Sequence, residues 1–273
     1  MIKLNGIFPP LPTSFDSNQN LAVDKMKSNI EKLSQFNLAG FLVLGSNGEL
    51  VNLSEKEIRQ VYKACREAIP TDKLMLAGTG AHSTRETINN TIAAAEAGAD
   101  AAMVLNPFYY KGLMTPAALV AHYHDVADAS SIPIIIYNMP GCTGIDMAAD
   151  TLLKIAAHKN IIGMKDSGGN MINMGLVKKM AKPEFQILAG SAGFLLPALA
   201  AGATGGVLAL ANIAPEKCIN VYEEFVAGNI KKSHSIQSDL IAINTAITSK
   251  WGVPALKAAM DYLGYYGGMA RKP

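Results

Sequence analysis

Short apolar runs recur along the chain at intervals of about 25 to 35 residues, and amphipathic stretches fill the gaps between them. Eight runs read as strands: residues 6–9, 40–44, 74–77, 101–105, 132–137, 161–165, 186–189 and 205–208. They are continuous and rich in Ile, Val, Leu, Met and Ala, the character of strands covered on both faces. Between them the pattern turns helical. Residues 23–36 follow the first run. Ser54, with Glu57 three residues on, forms a capping box that opens a helix over 55–68. A helix over 84–97 stops at Gly98. Thr115 precedes Pro116 at another helix start, where Leu119, Tyr123 and Val126 form an apolar stripe. Residues 146–158, 170–180 and 194–201 complete the repeat.

After Asn212 the alternation stops and only helical patterns remain, over 215–227, 230–249 and 254–263; in the second, Ile236, Leu240, Ile243 and Ile247 share a face. The pattern predicts an α/β protein: a (β/α)8 TIM barrel over residues 1–212 and a C-terminal helical domain over 213–273. An open doubly wound sheet is the alternative, and eight similar units argue for closure. The length of 273 residues suits a barrel of about 250 residues plus a short extension.

Composition narrows the function. Hydrophobic residues make up 49% of the chain, enough for a large core, and the formal net charge is only +2. No block of Lys or Arg marks a nucleic-acid footprint, so a small-molecule ligand is expected and no nucleic-acid partner. Cys65, Cys142 and Cys218 form no CxxC pair and read as free thiols in a reducing compartment. The opening MIKLNGIFPPLPTSFD has neither a signal-peptide apolar core nor an Arg-rich transit pattern. No apolar run reaches the ~18 residues of a membrane span. A cytoplasmic protein without membrane attachment is the expectation. His82, His122, His124, His158 and His234 show no metal-ligand spacing, so neither metal nor cofactor is expected.

In a parallel barrel the chemistry sits at the C-terminal ends of the strands. Lys165 ends the apolar run Ile161-Ile162-Gly163-Met164. Burial in the barrel disfavours the ammonium form, and a neutral amine is what attacks a ketone to form an imine. The ordinary alternative is a lysine that snorkels outward; polar groups at neighbouring strand ends favour the chemical one. Tyr137 ends another run, and its phenol suits proton transfer, with a half-buried strand-end tyrosine as the alternative. Ser46 and Asn47, in Gly-Ser-Asn-Gly, form a turn whose amides and side chains suit a carboxylate, unless it is an ordinary turn. Tyr109 is a weaker candidate, since Tyr-Tyr pairs often only pack.

Three glycine-rich stretches are set aside. Gly78-Thr-Gly-Ala-His-Ser83 lacks the third glycine of a dinucleotide fingerprint. Gly190-Ser-Ala-Gly193 and residues 202–206 lie where phosphate-binding barrels hold phosphate, but close backbone packing is the commoner reason for such glycines.

Together these residues resemble the dihydrodipicolinate synthase / N-acetylneuraminate lyase superfamily, over the whole chain. The specific motifs are Gly45-Ser-Asn-Gly-Glu49, Tyr137-Asn-Met-Pro140 and Gly163-Met-Lys-Asp-Ser167. The resemblance implies a barrel with a helical C-terminal domain, a homotetramer built as a dimer of dimers, and a lysine imine with pyruvate. It makes Lys165 the Schiff-base lysine and Tyr137 the proton relay. It has Ser46 link Tyr137 to Tyr109, a residue such enzymes often exchange across a dimer interface. Ser46 and Asn47 would hold the pyruvate carboxylate, while Ser167, Gly190 and Val207 would line the rest of the substrate pocket.

One departure bears on the substrate. Synthases that make dihydrodipicolinate carry an arginine shortly after the Tyr-Asn-x-Pro segment, and the matching position here is Cys142. A thiol cannot supply the charged fork of a guanidinium. Of the arginines, Arg59, Arg66, Arg85 and Arg271, none ends a strand. Residues 163–169, 188–194, 205–212 and 264–268 look closer to the 4-hydroxy-2-oxoglutarate aldolase branch. The expectation is therefore a class I aldolase that cleaves a 4-hydroxy-2-oxo acid, such as 4-hydroxy-2-oxoglutarate, into pyruvate and an aldehyde such as glyoxylate. The alternatives are a synthase condensing pyruvate with aspartate semialdehyde, a related sugar-acid lyase or dehydratase, and a non-catalytic 2-oxo-acid-binding barrel.

Overall fold

The structure is a computed structural model that describes residues 2–272. Eight parallel strands form one sheet: β1 (Gly6–Phe8), β2 (Gly40–Val43), β3 (Leu74–Gly78), β4 (Ala101–Leu105), β5 (Ile134–Asn138), β6 (Ile161–Asp166), β7 (Gln186–Ala189) and β8 (Gly205–Val207). Neighbours in sequence are neighbours in the sheet, and β1 pairs with β8. Between β1 and β2 the wall is completed by a parallel bridge from Pro10 to Leu42 and by Ala39 N–H donating to the Ile7 carbonyl at 3.0 Å. Proline fits this seam because it has no N–H to leave unpaired. The expected barrel is the one observed.

Helices α1 (Val23–Leu33), α2 (Glu55–Ala68), α3 (Thr84–Glu96) and α4 (Pro116–Ala129) follow the first four strands. The Ser54–Glu57 capping box is present at the start of α2. Beyond β5 the chain departs from the expected single helix over 146–158. A four-residue helix α5 (Pro140–Thr143) ends at Gly144, in the left-handed region at φ 66°, and α6 is confined to Ala149–Ala156. The intervening loop puts Asp146 beside Asn138. Helices α7 (Met171–Met180) and α8 (Leu195–Ala200) complete the barrel layer. Three further helices follow, α9 (Pro215–Val226), α10 (Ile230–Thr245) and α11 (Gly252–Tyr262), with a π turn over Ala246–Lys250 before α11. No helix among the described residues is long and apolar enough to cross a membrane.

The apolar stripe expected over residues 230–249 holds in part: Leu240 and Ile247 are buried and Ile236 packs against the core, while Ile243 does not join them. The buried residues of α10 are Ser233, Gln237, Leu240 and Asn244, and Ile243 is 44% exposed. Ser233 and Gln237 face inward because each finds a fixed partner. Gln237 accepts from Leu196 N–H at 3.1 Å and donates to the Ala192 carbonyl at 2.7 Å, and Ser233 donates to the Val221 carbonyl at 2.8 Å. Such satisfied groups cost little to bury.

The core has two layers. One lies between sheet and helices; the other fills the barrel with Leu4, Phe8, Leu42, Leu76, Met103, Ile135, Tyr137, Ile162, Leu188 and Val207 among others. Strand β6 feeds both layers through an irregularity. Ile134 pairs with Ile161 but Ile135 pairs with Gly163, so Ile162 is an extra residue. Side chains alternate along a strand, and one extra residue reverses the alternation beyond it. Ile162 therefore faces the barrel interior, Met164 faces the helices, and Lys165 turns inward again, beside inward-facing Tyr137 and Leu188.

Candidate active site

Lys165 pairs in register with Tyr137 on β5, at the C-terminal end of the barrel. It is only 4% exposed, and its Nζ lies 4.0 Å from the centroid of the Tyr137 ring. Among the described residues no carboxylate stands within ion-pair distance of it. The nitrogen faces an aromatic ring rather than a fixed anion.

Tyr137 is buried, and its hydroxyl lies 3.2 Å from Ser46 Oγ, close enough for a hydrogen bond in which either can donate. Ser46 opens a 3-10 turn over Ser46–Gly48 just beyond β2. Leu44 at φ 57° and Glu49 at φ 55° occupy the left-handed region on either side of that turn. Non-glycine residues adopt this conformation at a cost, and it is held where the surroundings over-determine it. Asn47 sits half-buried in the same turn.

A cavity of about 200 Å³ opens onto this pair, lined by Ser46, Thr79, Leu105, Phe108, Tyr137 and Cys142 among others. A second hollow of about 390 Å³ adjoins it around His82, Glu86 and Asn90, but carries neither Tyr137 nor Ser46. Volume alone would favour the second. The chemistry favours the first, where the hydroxyl pair lies.

Ser167 Oγ is buried and finds no hydrogen-bond partner within the described residues. It lies against Gly190, where an added Cβ would collide with that hydroxyl and with the Asp166 carbonyl, so only glycine fits. Val207 is fully buried in the layer that also holds Tyr137 and Leu188. Tyr109 stands apart. It is 74% exposed and meets Tyr110 and His82 edge-on, with ring centroids 5.0 and 6.0 Å away, and it makes no hydrogen bond to Ser46. Within one chain, Lys165, Tyr137 and Ser46 come together and Tyr109 does not join them.

Cys142 is exposed at the rim. Three arginines are engaged elsewhere: Arg59 with Glu55 and Glu96, Arg66 with Asp100, and Arg271 with Glu57. Arg85 is exposed on α3. A cation does approach the rim. Lys111 Nζ rests over Gly144, two residues from Cys142, and would stand 3.4 Å from a Cβ placed there. Sequence reading missed it, because nothing local links residue 111 to the loop after β5.

A second group that the sequence reading passed over lies behind Lys165 and Tyr137. Asn138 and Asp166 follow Tyr137 and Lys165 by one residue and so face the opposite way. Asn138 Nδ2 donates to Asp166 Oδ2 and to Asp146 Oδ1, both at 2.8 Å, and Asn138 Oδ1 accepts from Met147 N–H at 3.1 Å. Burial raises the Asp166 carboxyl above its ordinary value, opposed by the hydrogen bonds from Asn138 and Gly169. Two polar residues at paired strand ends were the available signal. No group of three His, Cys, Asp or Glu among the described residues is placed to hold a metal ion.

The model of the dihydrodipicolinate synthetase family matches residues 3–273. A probable mitochondrial 4-hydroxy-2-oxoglutarate aldolase of Emericella nidulans is 37% identical, with 98% of this chain and 88% of that protein covered. A 4-hydroxy-tetrahydrodipicolinate synthase of Methanoculleus marisnigri is 32% identical, with 98% and 92% covered. Among solved structures, YagE of E. coli K12, a member of the dihydrodipicolinic acid synthase family in complex with pyruvate, superposes with a TM-score of 0.92 at 27% identity, covering 100% of this chain and 93% of that one.

Proposed function

Because the chain belongs to the dihydrodipicolinate synthetase family, we propose that it is a class I aldolase that reversibly cleaves 4-hydroxy-2-oxoglutarate into pyruvate and glyoxylate. The observation that carries this reading is the buried Lys165 Nζ over the Tyr137 ring, with no carboxylate within ion-pair distance among the described residues and with the Tyr137 hydroxyl 3.2 Å from Ser46 Oγ.

The amine of Lys165 adds to the C2 ketone and water leaves, giving a protonated imine. Tyr137, relayed by Ser46, takes the proton of the C4 hydroxyl. The C3–C4 bond breaks. Its electron pair moves onto C3 and the imine, glyoxylate departs as the aldehyde, and an enamine remains. A proton returns to C3, and water hydrolyses the imine to release pyruvate and regenerate the amine. The turn amides with Ser46 and Asn47 hold the C1 carboxylate, and the unpaired Ser167 hydroxyl and Gly190 face the far end of the substrate. The barrel contributes mainly positioning.

Cys142 favours this substrate over aspartate semialdehyde. The rim holds a cysteine where the synthases place a guanidinium, and three of the four arginines are tied up elsewhere. The similarity to an aldolase of Emericella nidulans points the same way. Val51, Tyr109, Tyr110 and Leu113 are all exposed, an apolar group that supports a homotetramer in which Tyr109 completes a neighbouring site.

The test is pyruvate release from 4-hydroxy-2-oxoglutarate, coupled to lactate dehydrogenase, with borohydride trapping of pyruvate on the intact protein and on Lys165→Ala. Release and trapping that both vanish in the variant support the reading. Trapping without release keeps the lysine chemistry and removes this substrate. No adduct on Lys165 overturns the mechanism.

A further inference from the structure

Glu49 lies three residues after Ser46, and its side chain is buried where two distant parts of the chain converge. Its Oε1 accepts from Lys257 Nζ of α11 at 2.6 Å; Lys257 is 1% exposed and Glu49 7%. Its Oε2 accepts from the backbone N–H of Arg271 at 2.9 Å. Lys257 Nζ also donates to the Met269 carbonyl at 2.8 Å, which draws the C-terminal tail over the pair. The Arg271 guanidinium then spans Glu57, donating to Oε1 at 2.7 Å and Oε2 at 3.1 Å, and reaches the Asn52 and Gln19 carbonyls. Both cations lie near the Phe15 ring, Lys257 Nζ at 4.7 Å and the Arg271 guanidinium carbon at 4.3 Å from its centroid.

We propose that Glu49, Lys257 and Arg271 form a positioning unit for the Ser46–Tyr137 pair, so that the C-terminal helices and tail set the geometry of the barrel's active site. The path is short. The two donors fix the Glu49 carboxylate, and the carboxylate fixes a residue whose backbone is left-handed at φ 55°. In that conformation Glu49 N–H donates to the Ser46 carbonyl at 3.1 Å and closes the turn. The turn in turn aims Ser46 Oγ at the Tyr137 hydroxyl. From the other side, Thr13 Oγ1 donates to the Gly48 carbonyl at 2.5 Å. Release of the Glu49 carboxylate would free the residue that carries this N–H and loosen the C-terminal anchor of the turn.

Stability does not explain the arrangement. A buried ion pair often gives no more than a well-packed apolar pair of the same volume, because desolvation offsets the attraction. Here the charges meet at a strained residue that adjoins the reactive hydroxyls, and strain of this kind persists where surrounding contacts over-determine it.

The inference rests on the proposed roles of Ser46 and Tyr137, and the experiment separates the two. Lys257→Met alone would strand a buried carboxylate and endanger folding, so the informative protein is the full chain with Glu49→Gln and Lys257→Met together. The probe is pyruvate alone, with two readouts: borohydride trapping on Lys165, and exchange of the pyruvate methyl protons for deuterium. The double variant is expected to keep the trapped adduct and to lose exchange by a factor on the order of 10 to 100, the scale of a small misplacement of reacting groups. In a Ser46→Ala background the same two substitutions should change exchange by less than about twofold, since the route they act through is gone. Equal losses in both backgrounds, or undiminished exchange in the double variant, would overturn the positioning role. Full exchange in Ser46→Ala alone would instead overturn the role of Ser46 on which the inference stands.

Discussion

Asn138 and Asp166 meet directly at the ends of β5 and β6, Nδ2 to Oδ2 at 2.8 Å, one residue beyond the facing pair Tyr137 and Lys165. The inward residues are the ones proposed to carry the chemistry, and the outward ones tie together the two strands that present them. The Asn138 amide also holds Asp146 and the Met147 N–H, so one side chain serves three partners.

Replacing Asn138 by Ala should leave two carboxylates without their shared donor. Asp166 is buried and Asp146 exposed, so the expected loss is about 2 kcal/mol in stability, the scale of hydrogen bonds to charged groups, read as a lowered urea midpoint. Trapping of pyruvate on Lys165 should weaken in parallel. Unchanged stability would show that Asp166 and Asp146 find other donors, and that the bond is incidental.

The Arg271 guanidinium beside Glu57 holds its carboxyl down to about 2. A carboxyl depressed in the folded state stabilises above its unfolded value of 4.5, and that stabilisation is lost as pH falls towards 2. The stability advantage of the intact protein over Glu57→Gln should therefore be constant at neutral pH and shrink below about pH 4.5. Urea unfolding of both proteins across that range reads it directly. An advantage that stays constant into acid would mean that the Arg271 fork does not depend on the charge of Glu57.

Lys111 places an ammonium beside the Cys142 rim. If the distal carboxylate of a dicarboxylic substrate leans on it, Lys111→Met should raise the KM for 4-hydroxy-2-oxoglutarate by about fivefold, the scale of one partly exposed ion pair. Borohydride trapping of pyruvate, which has no distal carboxylate, should be unaffected. Equal weakening of both would place Lys111 in a supporting role for the loop after β5.

The strands were legible because parallel strands buried on both faces leave continuous apolar runs, and Lys165 was legible because a charge ends one of them. Observed strands match the expected runs to within a residue or two; β5 begins at Ile134, where Pro133 contributes a carbonyl to Ala102 N–H but has no N–H of its own. The inward face of α10 was legible only at Leu240 and Ile236. Its buried Gln237 and Ser233 are stable only through partners on other elements, which a search for an apolar stripe passes over. The contact between Glu49 and Lys257 joins residues 208 positions apart. Nothing near either residue signals the other. Tyr109 was read from its motif, and one chain leaves it outside the site.

The extra residue in β6 ties the direction of the Lys165 side chain to a flaw in the pairing. Were β6 to run beside β5 at its full length without the irregularity, Met164 would stand opposite Tyr137 and Lys165 would face the helices. Loss of one residue at the irregularity would restore regular pairing and still leave Lys165 opposite Tyr137, because the extra residue and the reversal it causes disappear together. The strand can therefore lose both the residue and the irregularity and keep its amine inside the barrel, but it cannot lose one without the other.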